Sequence, residues 1–166
     1  ASWMPKSENA WVVWRPGGVP TACRAVEIVG FDDEHLLSHA QALLEQAPLQ
    51  RKLVGRRMLA VSRSLQQRLW LWAYAWQTTG QAHWVQRASL ELQTACAFSD
   101  WNPAHFLDVA EACAAVAVAY DWLYPALDAT TRQACEQGLV RLALEPAMAG
   151  GPHTRWMTAQ YNWNQV

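Results

Sequence analysis

The sequence predicts an all-α protein with a short irregular, partly β-like segment at its N-terminus. From residue 31 onward, apolar residues recur every three or four positions, which is the spacing of one face of a helix. Proline, glycine and capping residues interrupt this pattern where each periodic stretch ends. The connections are short, and short connections favour antiparallel neighbouring helices.

Residues 1–30 do not follow the helical pattern. A β-like run at 25–29 is closed by Gly30, and the periodic pattern begins directly after it. We therefore expect two regions, an irregular segment at 1–30 and a helical domain at 31–166.

Five helices are expected in the second region, and capping residues or breakers mark their ends. Asp32 and Asp128 are suitable N-caps, Gly80 is a C-terminal stop, and Asn102-Pro103 combines an N-cap with the residue preferred at the first helical position. The predicted helices span 33–46, 53–79, 81–97, 103–124 and 129–144.

The apolar faces indicate how these helices pack. The second helix has a stripe spaced by three and four, and the third has a similar one; their members are Met58, Val61, Leu65, Leu69, Trp72 and Trp76, then Trp84, Ala88, Leu92 and Ala95. The fourth helix is alanine-rich and apolar nearly all round, which predicts close neighbours on more than one side. No fixed repeat is present, so the pattern alone leaves a bundle, a solenoid and a toroid open.

Composition limits the classes of function. The chain has 166 residues, of which 52% are hydrophobic and 16% charged. Its formal net charge is -1 without a dominant basic tract, so nucleic-acid binding is not predicted. No membrane span is visible, and no leader is visible.

Cysteine and tryptophan are the residues whose roles composition leaves open. The four cysteines form no CxxC pair, so a zinc site is not expected, and structural thiols are favoured over disulfides. No P-loop, HExxH or dinucleotide fingerprint appears, so no other metal or cofactor is expected. The eleven tryptophans fit either core packing or stacking against flat ligands such as sugars.

Three segments place polar residues among aromatic ones. In the first, 100–108, His105 and Asp108 are three residues apart, so Asp108 could orient the His105 ring for acid–base chemistry; a capping and surface arrangement is the alternative. In the second, Tyr120 and Tyr124 lie one helical turn apart; the alternative is that they are aromatic residues at the edge of the core whose hydroxyls find partners. The third, 161–165, suits a ligand-facing loop or a frayed polar terminus.

Three segments in this order resemble heparinase II/III-like polysaccharide lyases. They are Phe98-Ser99-Asp100-Trp101-Asn102-Pro103-Ala104-His105-Phe106-Leu107-Asp108-Val109-Ala110-Glu111, then Ala119-Tyr120-Asp121-Trp122-Leu123-Tyr124, and finally Tyr161-Asn162-Trp163-Asn164-Gln165-Val166. The likeness extends over roughly residues 31–166 and is to the N-terminal domain of that family.

The resemblance implies a partial (α/α) toroid of antiparallel helical hairpins around a substrate cleft, with β-sandwich material following it. Enzymes of the family cleave uronic-acid-containing polysaccharides, such as heparin, heparan sulfate and alginate, by β-elimination. An acidic polysaccharide is therefore the expected partner. Many bacterial members are periplasmic or secreted, and the same location is expected here.

The resemblance also assigns candidate site residues. Asn162 is expected to contact the uronate carboxylate, and Tyr161 is a possible acid or base. Some lyases of the group have a histidine where Trp163 stands, so no base is assigned there. The expected substrate-binding residues are Trp101, Asn102, His105, Tyr120, Trp163 and Asn164. The tyrosine and histidine that complete the site are expected beyond residue 166.

Three other functions remain open at this stage: a non-catalytic carbohydrate-binding domain, a helical scaffold with every tryptophan in its core, and a toroid glycosidase. The glycosidase needs a pair of carboxylates, and the available ones are Asp100, Asp108, Glu111 and Asp121. Because about five helices are fewer than a toroid needs, we also expect an uncovered apolar face and self-association of this chain.

Overall fold

The computed structural model describes residues 33–157, apart from the side chains of residues 153 and 156. This part of the chain is all-α, as predicted, and forms no strand. Its helices are α1 (Asp33–Leu44), α2 (Leu59–Thr79), α3 (Ala82–Cys96), α4 (Phe106–Leu123), α5 (Ala129–Leu139) and the short α6 (Glu145–Met148). The predicted irregular segment, the domain boundary and the Asp32 cap lie outside the described residues.

Helix α2 packs against α1, α3 and α4. The predicted stripe is confirmed, because Leu65, Leu69 and Trp72 are completely or almost completely buried. The Trp72 indole N–H also donates to the carbonyl of Ala40 in α1, at 3.1 Å. At the other end of α2, Gly80 adopts a left-handed conformation and its N–H donates to the Trp76 carbonyl. The two-residue connection that follows makes α2 and α3 an antiparallel hairpin.

Helix α4 lies against α2 on one side and α5 on another. Its alanines at 112, 115 and 119 have no exposed surface, which agrees with the predicted close neighbours. Helix α5 begins at the N-cap Asp128, whose carboxylate accepts the Thr131 N–H at 2.7 Å as predicted. It then packs against α3.

Three predicted helix boundaries are wrong. Helix α2 starts six residues later than predicted, because Val54 and Arg57 exchange backbone hydrogen bonds in a tight turn. Helix α4 starts at Phe106, because Asn102 is left-handed (φ 61°) and cannot act as the predicted N-cap. The helical path after α5 continues through a π turn, Val140–Leu144, into α6. Pro146 does not end it, because proline is tolerated in a first turn.

An apolar stripe remains uncovered on this last helical path. Val140, Leu144 and Met148 follow one another at intervals of four residues, and all three are exposed. Such a stripe is what self-association would require, and self-association stays a prediction. Within residues 33–157, no helix is both long and apolar enough to cross a membrane.

Candidate functional site

The segment with the first family likeness folds against the connection between α1 and α2. We call residues 51–57 of that connection the basic turn and residues 98–105, which precede α4, the motif loop. Two carboxylates, Asp100 and Asp108, join these two segments across 49 to 51 residues of sequence.

Asp108 lies in the first turn of α4 and is completely buried. One carboxylate oxygen accepts the Arg57 Nε–H at 3.2 Å. The other accepts the Met58 backbone N–H at 2.6 Å and the Asn102 amide at 2.7 Å. A buried charge needs this many partners to offset the hydration that it loses. Asp108 thereby ties α4 to the start of α2.

Asp100 is the second link, and it is half-buried. Its Oδ1 accepts hydrogen bonds from Arg51 Nη2 at 2.7 Å and from the Asn102 backbone N–H at 2.7 Å. Burial on its own would raise the pKa of Asp100, but the bonds from Arg51, Asn102 and Ser99 together lower the pKa below its ordinary value. Asp100 is therefore a charged anchor of the basic turn at neutral pH.

Two residues that the likeness assigned to sugar binding are instead structural. Trp101 has no exposed surface, and its indole N–H donates to the carbonyl of Ala95 at 3.0 Å. A buried indole offers no face for a sugar ring, so this prediction is wrong. The side-chain amide nitrogen of Asn102 also donates within the protein, to the Arg56 carbonyl at 3.0 Å and to the Asp108 carboxylate. We correct the role of Asn102 to positioning the basic turn.

His105 and Tyr120 are partly accessible but do not share a site. His105 directly precedes α4, and Tyr120 lies fifteen residues along the chain, which corresponds to roughly 20 Å of helix. The sequence predicted that Asp108 orients the His105 ring. In the structure, both carboxylate oxygens of Asp108 accept hydrogen bonds from Arg57, Met58 and Asn102. Binding of substrate by either residue stays a prediction.

Tyr120 faces α5 rather than the motif loop. Its hydroxyl donates to Glu136 at 2.6 Å, and its ring meets Tyr124 edge-on at a centroid distance of 5.4 Å. Burial and the bond to Glu136 raise the pKa of Tyr120 well above its ordinary value. The phenol therefore stays protonated at neutral pH. Tyr161, Asn162, Trp163 and Asn164 lie outside the described residues.

A third carboxylate, which the sequence analysis did not single out, also holds the α1–α2 connection. Glu91 is completely buried in α3 and accepts the Leu49 N–H at 2.8 Å. Arg68 and Arg87 both form ion pairs with it, at 3.4 and 2.8 Å. The available signal was its position beside the apolar stripe of α3, where a charged residue must find buried partners.

Three of the four carboxylates considered for a glycosidase form ion pairs with arginines. Asp100 and Asp108 are held by arginines of the basic turn, and Glu111 pairs with Arg63 at 3.0 Å. Only Asp121 of the four has no such ion pair within the described part of the chain. A pair of catalytic carboxylates therefore has no support here.

The cysteines that the structure describes, Cys96, Cys113 and Cys135, are free thiols. A hydrogen bond with Cys96 and, to a smaller extent, burial raise the pKa of Cys135. This thiol therefore stays protonated at neutral pH, as a structural thiol does. From residue 33 to residue 157, no group of three histidine, cysteine or acidic side chains is placed to hold a metal ion.

An open groove lies between α3 and the segment that follows α4. Its lining includes Gln86, Gln93 and Asp128, but none of the residues predicted for substrate binding. Asp128 is already engaged as the N-cap of α5. The groove therefore adds no chemistry to the motif loop and the basic turn, which form the candidate site. No protein-family model matches this chain, and no curated protein matches it either.

Proposed function

We propose that this protein is a polysaccharide lyase that cleaves a uronic-acid polymer by β-elimination. The observation that carries the proposal is the order of three segments with the family likeness, which ends in Tyr161-Asn162-Trp163-Asn164-Gln165-Val166. The antiparallel α2–α3 hairpin and the close packing of α4 are compatible with a partial (α/α) toroid. A periplasmic or secreted location would bring the enzyme to such a polymer.

The reaction explains why an amide residue belongs in the site. The proton at C5 of a uronate is too weakly acidic while the adjacent carboxylate keeps its full charge. An amide donor such as Asn162 would hydrogen-bond that carboxylate and stabilise the charge that develops in the transition state. A base then takes the C5 proton, the bond from C4 to the leaving oxygen breaks, and an acid protonates that oxygen. Tyr161 is a candidate for the acid or the base.

The test uses the full-length protein with heparin, heparan sulfate and alginate as separate substrates. The new C4–C5 double bond absorbs ultraviolet light, so we expect absorbance to rise with at least one polymer. The variant Asn162→Ala should abolish the rise, whereas Gln137→Ala, at an exposed position in α5, should leave it unchanged. An unchanged rate with Asn162→Ala would remove the assigned role of that residue.

A second candidate function is sugar binding without catalysis, and Trp163 favours it. This residue stands where some lyases of the group have a histidine, so a base is not assigned at that position. Binding of a uronate polymer without any unsaturated product would establish this second function. Absence of both binding and product would reject both functions.

A further inference from the structure

No short basic tract dominates the sequence, but positive charge accumulates over residues 46–90 because acidic residues are absent there. Residues 46–90 contain seven of the thirteen lysines and arginines and none of the fourteen acidic residues. These seven must find partners elsewhere in the fold or remain unpaired. They are Arg51, Lys52, Arg56, Arg57, Arg63, Arg68 and Arg87.

The fold pairs five of the seven with carboxylates that lie later in the sequence. Asp100 and Asp108 hold one arginine each, Glu111 holds a third, and Glu91 holds two. The remaining two cations, Lys52 and Arg56, are exposed and form no ion pair with any described residue. Both of them lie on the basic turn.

Hydrogen bonds and an ion pair hold the backbone of the basic turn, on which these two cations lie. Val54 and Arg57 exchange backbone hydrogen bonds of 2.8 and 3.2 Å, which close the turn. The ion pair of Arg51 with Asp100 holds one side, and the Asn102 amide holds the Arg56 carbonyl at 3.0 Å. A binding element that is ordered before its ligand arrives loses less conformational entropy on binding.

The turn also presents apolar surface between its two cations. Val54 is 67% exposed and Leu53 is 40% exposed. Cations that flank an apolar tip suit a ligand with regularly spaced anionic groups and hydrocarbon faces between them. An acidic polysaccharide has this chemistry, because each pyranose ring carries C–H faces beside its carboxylate or sulfate group.

We propose that Lys52 and Arg56 contact the anionic groups of the acidic polysaccharide, with Val54 packing against a sugar ring. This inference rests on the proposed function, and it names a second contact region for the same polymer. Asn102, Asp100 and Asp108 act through the turn as positioning residues. The motif loop therefore contributes to binding by fixing the turn, although Trp101 and Asn102 are themselves buried.

The experiment measures binding by the full-length protein of a heparin oligosaccharide and of an alginate oligosaccharide, at low and at high salt. We expect Lys52→Gln and Arg56→Gln each to weaken binding about twofold to fivefold at low salt, as is typical of exposed charge pairs. The loss should shrink at high salt because of screening. Arg63→Gln is the matched control, because it removes an equal charge from an exposed side chain outside the turn.

Comparing the two oligosaccharides shows whether the basic turn contacts carboxylate or sulfate groups. A loss with both oligosaccharides assigns the contact to carboxylates, and a loss with heparin alone assigns it to sulfates. Wild-type affinity in both turn variants, together with formation of unsaturated product, would overturn this inference and leave the lyase proposal standing. Absence of both binding and product in the wild type would reject the two together. A loss of affinity only for a DNA duplex, used as a third ligand, would also overturn it.

Discussion

Two seams between helices hold this fold together by different physical means. The first joins the α1–α2 connection to α3 and α4, and it relies on the carboxylates of Glu91, Asp100 and Asp108. The second joins α3 to α5. It contains the hydrogen bond between Gln93 and Thr131, and no ion pair between these two helices is present among the described residues.

Close packing takes the place of charge in the α3–α5 seam. A β-carbon added at Gly138 would lie 2.7 Å from both Cβ and Sγ of Cys96, which is too close for any real side chain. The neighbouring Cys135 is completely buried. The first seam thus depends on a few hydrogen-bond donors that match buried acceptors, whereas the second depends on the missing side chain of Gly138. Removing a polar side chain should therefore destabilise the first seam most, and adding a methyl group should destabilise the second most.

The largest effect is expected for Asp108→Ala. This change leaves the Arg57 guanidinium and the Met58 N–H without the acceptor that Asp108 provides, and it removes one of the two acceptors of the Asn102 amide. Removing one partner from a buried ionic group costs about 3–5 kcal/mol of unfolding free energy. Urea unfolding of the variant measures this loss directly.

The control for Asp108→Ala is Glu111→Ala on the same helix. Its ion-pair partner Arg63 is 61% exposed, so that pair should contribute less than about 1 kcal/mol. Equal losses in the two variants would show that the first seam does not depend on its buried carboxylate.

The sequence predicted the features that depend on local spacing. The number of main helices, the stripe of α2 and the Asp128 cap all follow from residues within one or two turns of each other. The α3–α5 seam was not predicted, because the small side chains that indicated close neighbours in the sequence were those of α4.

The first seam was not predicted, because its partners are 42 to 51 residues apart for Leu49, Arg51, Arg57 and Met58. Spacing cannot indicate which distant arginine reaches a given carboxylate. The assignment of Trp101 and Asn102 to sugar binding failed for a related reason. A likeness in sequence marks residues that a family shares, and it does not separate those that bind a ligand from those that build the loop.

A smaller effect, confined to the second seam, is expected for Gly138→Ala. The added methyl group must displace Cys96, and such overpacking costs about 1–3 kcal/mol. Replacing Cys96 with alanine in the same chain removes the clashing sulfur and should recover part of the loss. A double-mutant cycle by urea unfolding should therefore give a coupling of roughly 0.5–3 kcal/mol.

The matched control for that cycle is Gly80→Ala, since a β-carbon there meets nothing within 4 Å and only the left-handed backbone (φ 68°) opposes it. Its loss, about 1–2 kcal/mol, should be independent of Cys96. Strict additivity of Gly138→Ala and Cys96→Ala would mean that the α3–α5 contact is looser than these distances indicate.

The smallest effect concerns the half-buried link of the first seam and depends on pH. Because the pKa of Asp100 is lower in the folded protein than in the unfolded chain, its contribution to stability is complete above the unfolded pKa of about 3.9. It is lost as pH falls through the folded pKa, where Asp100 takes up a proton and weakens its pair with Arg51. The variant Asp100→Asn cannot lose a charge in this way. Urea unfolding of both proteins from pH 7 to pH 2.5 should therefore give a stability difference that is constant down to about pH 4 and then narrows. A difference that narrows near neutral pH, or that persists unchanged at pH 2.5, would contradict the role of this charge in holding the basic turn.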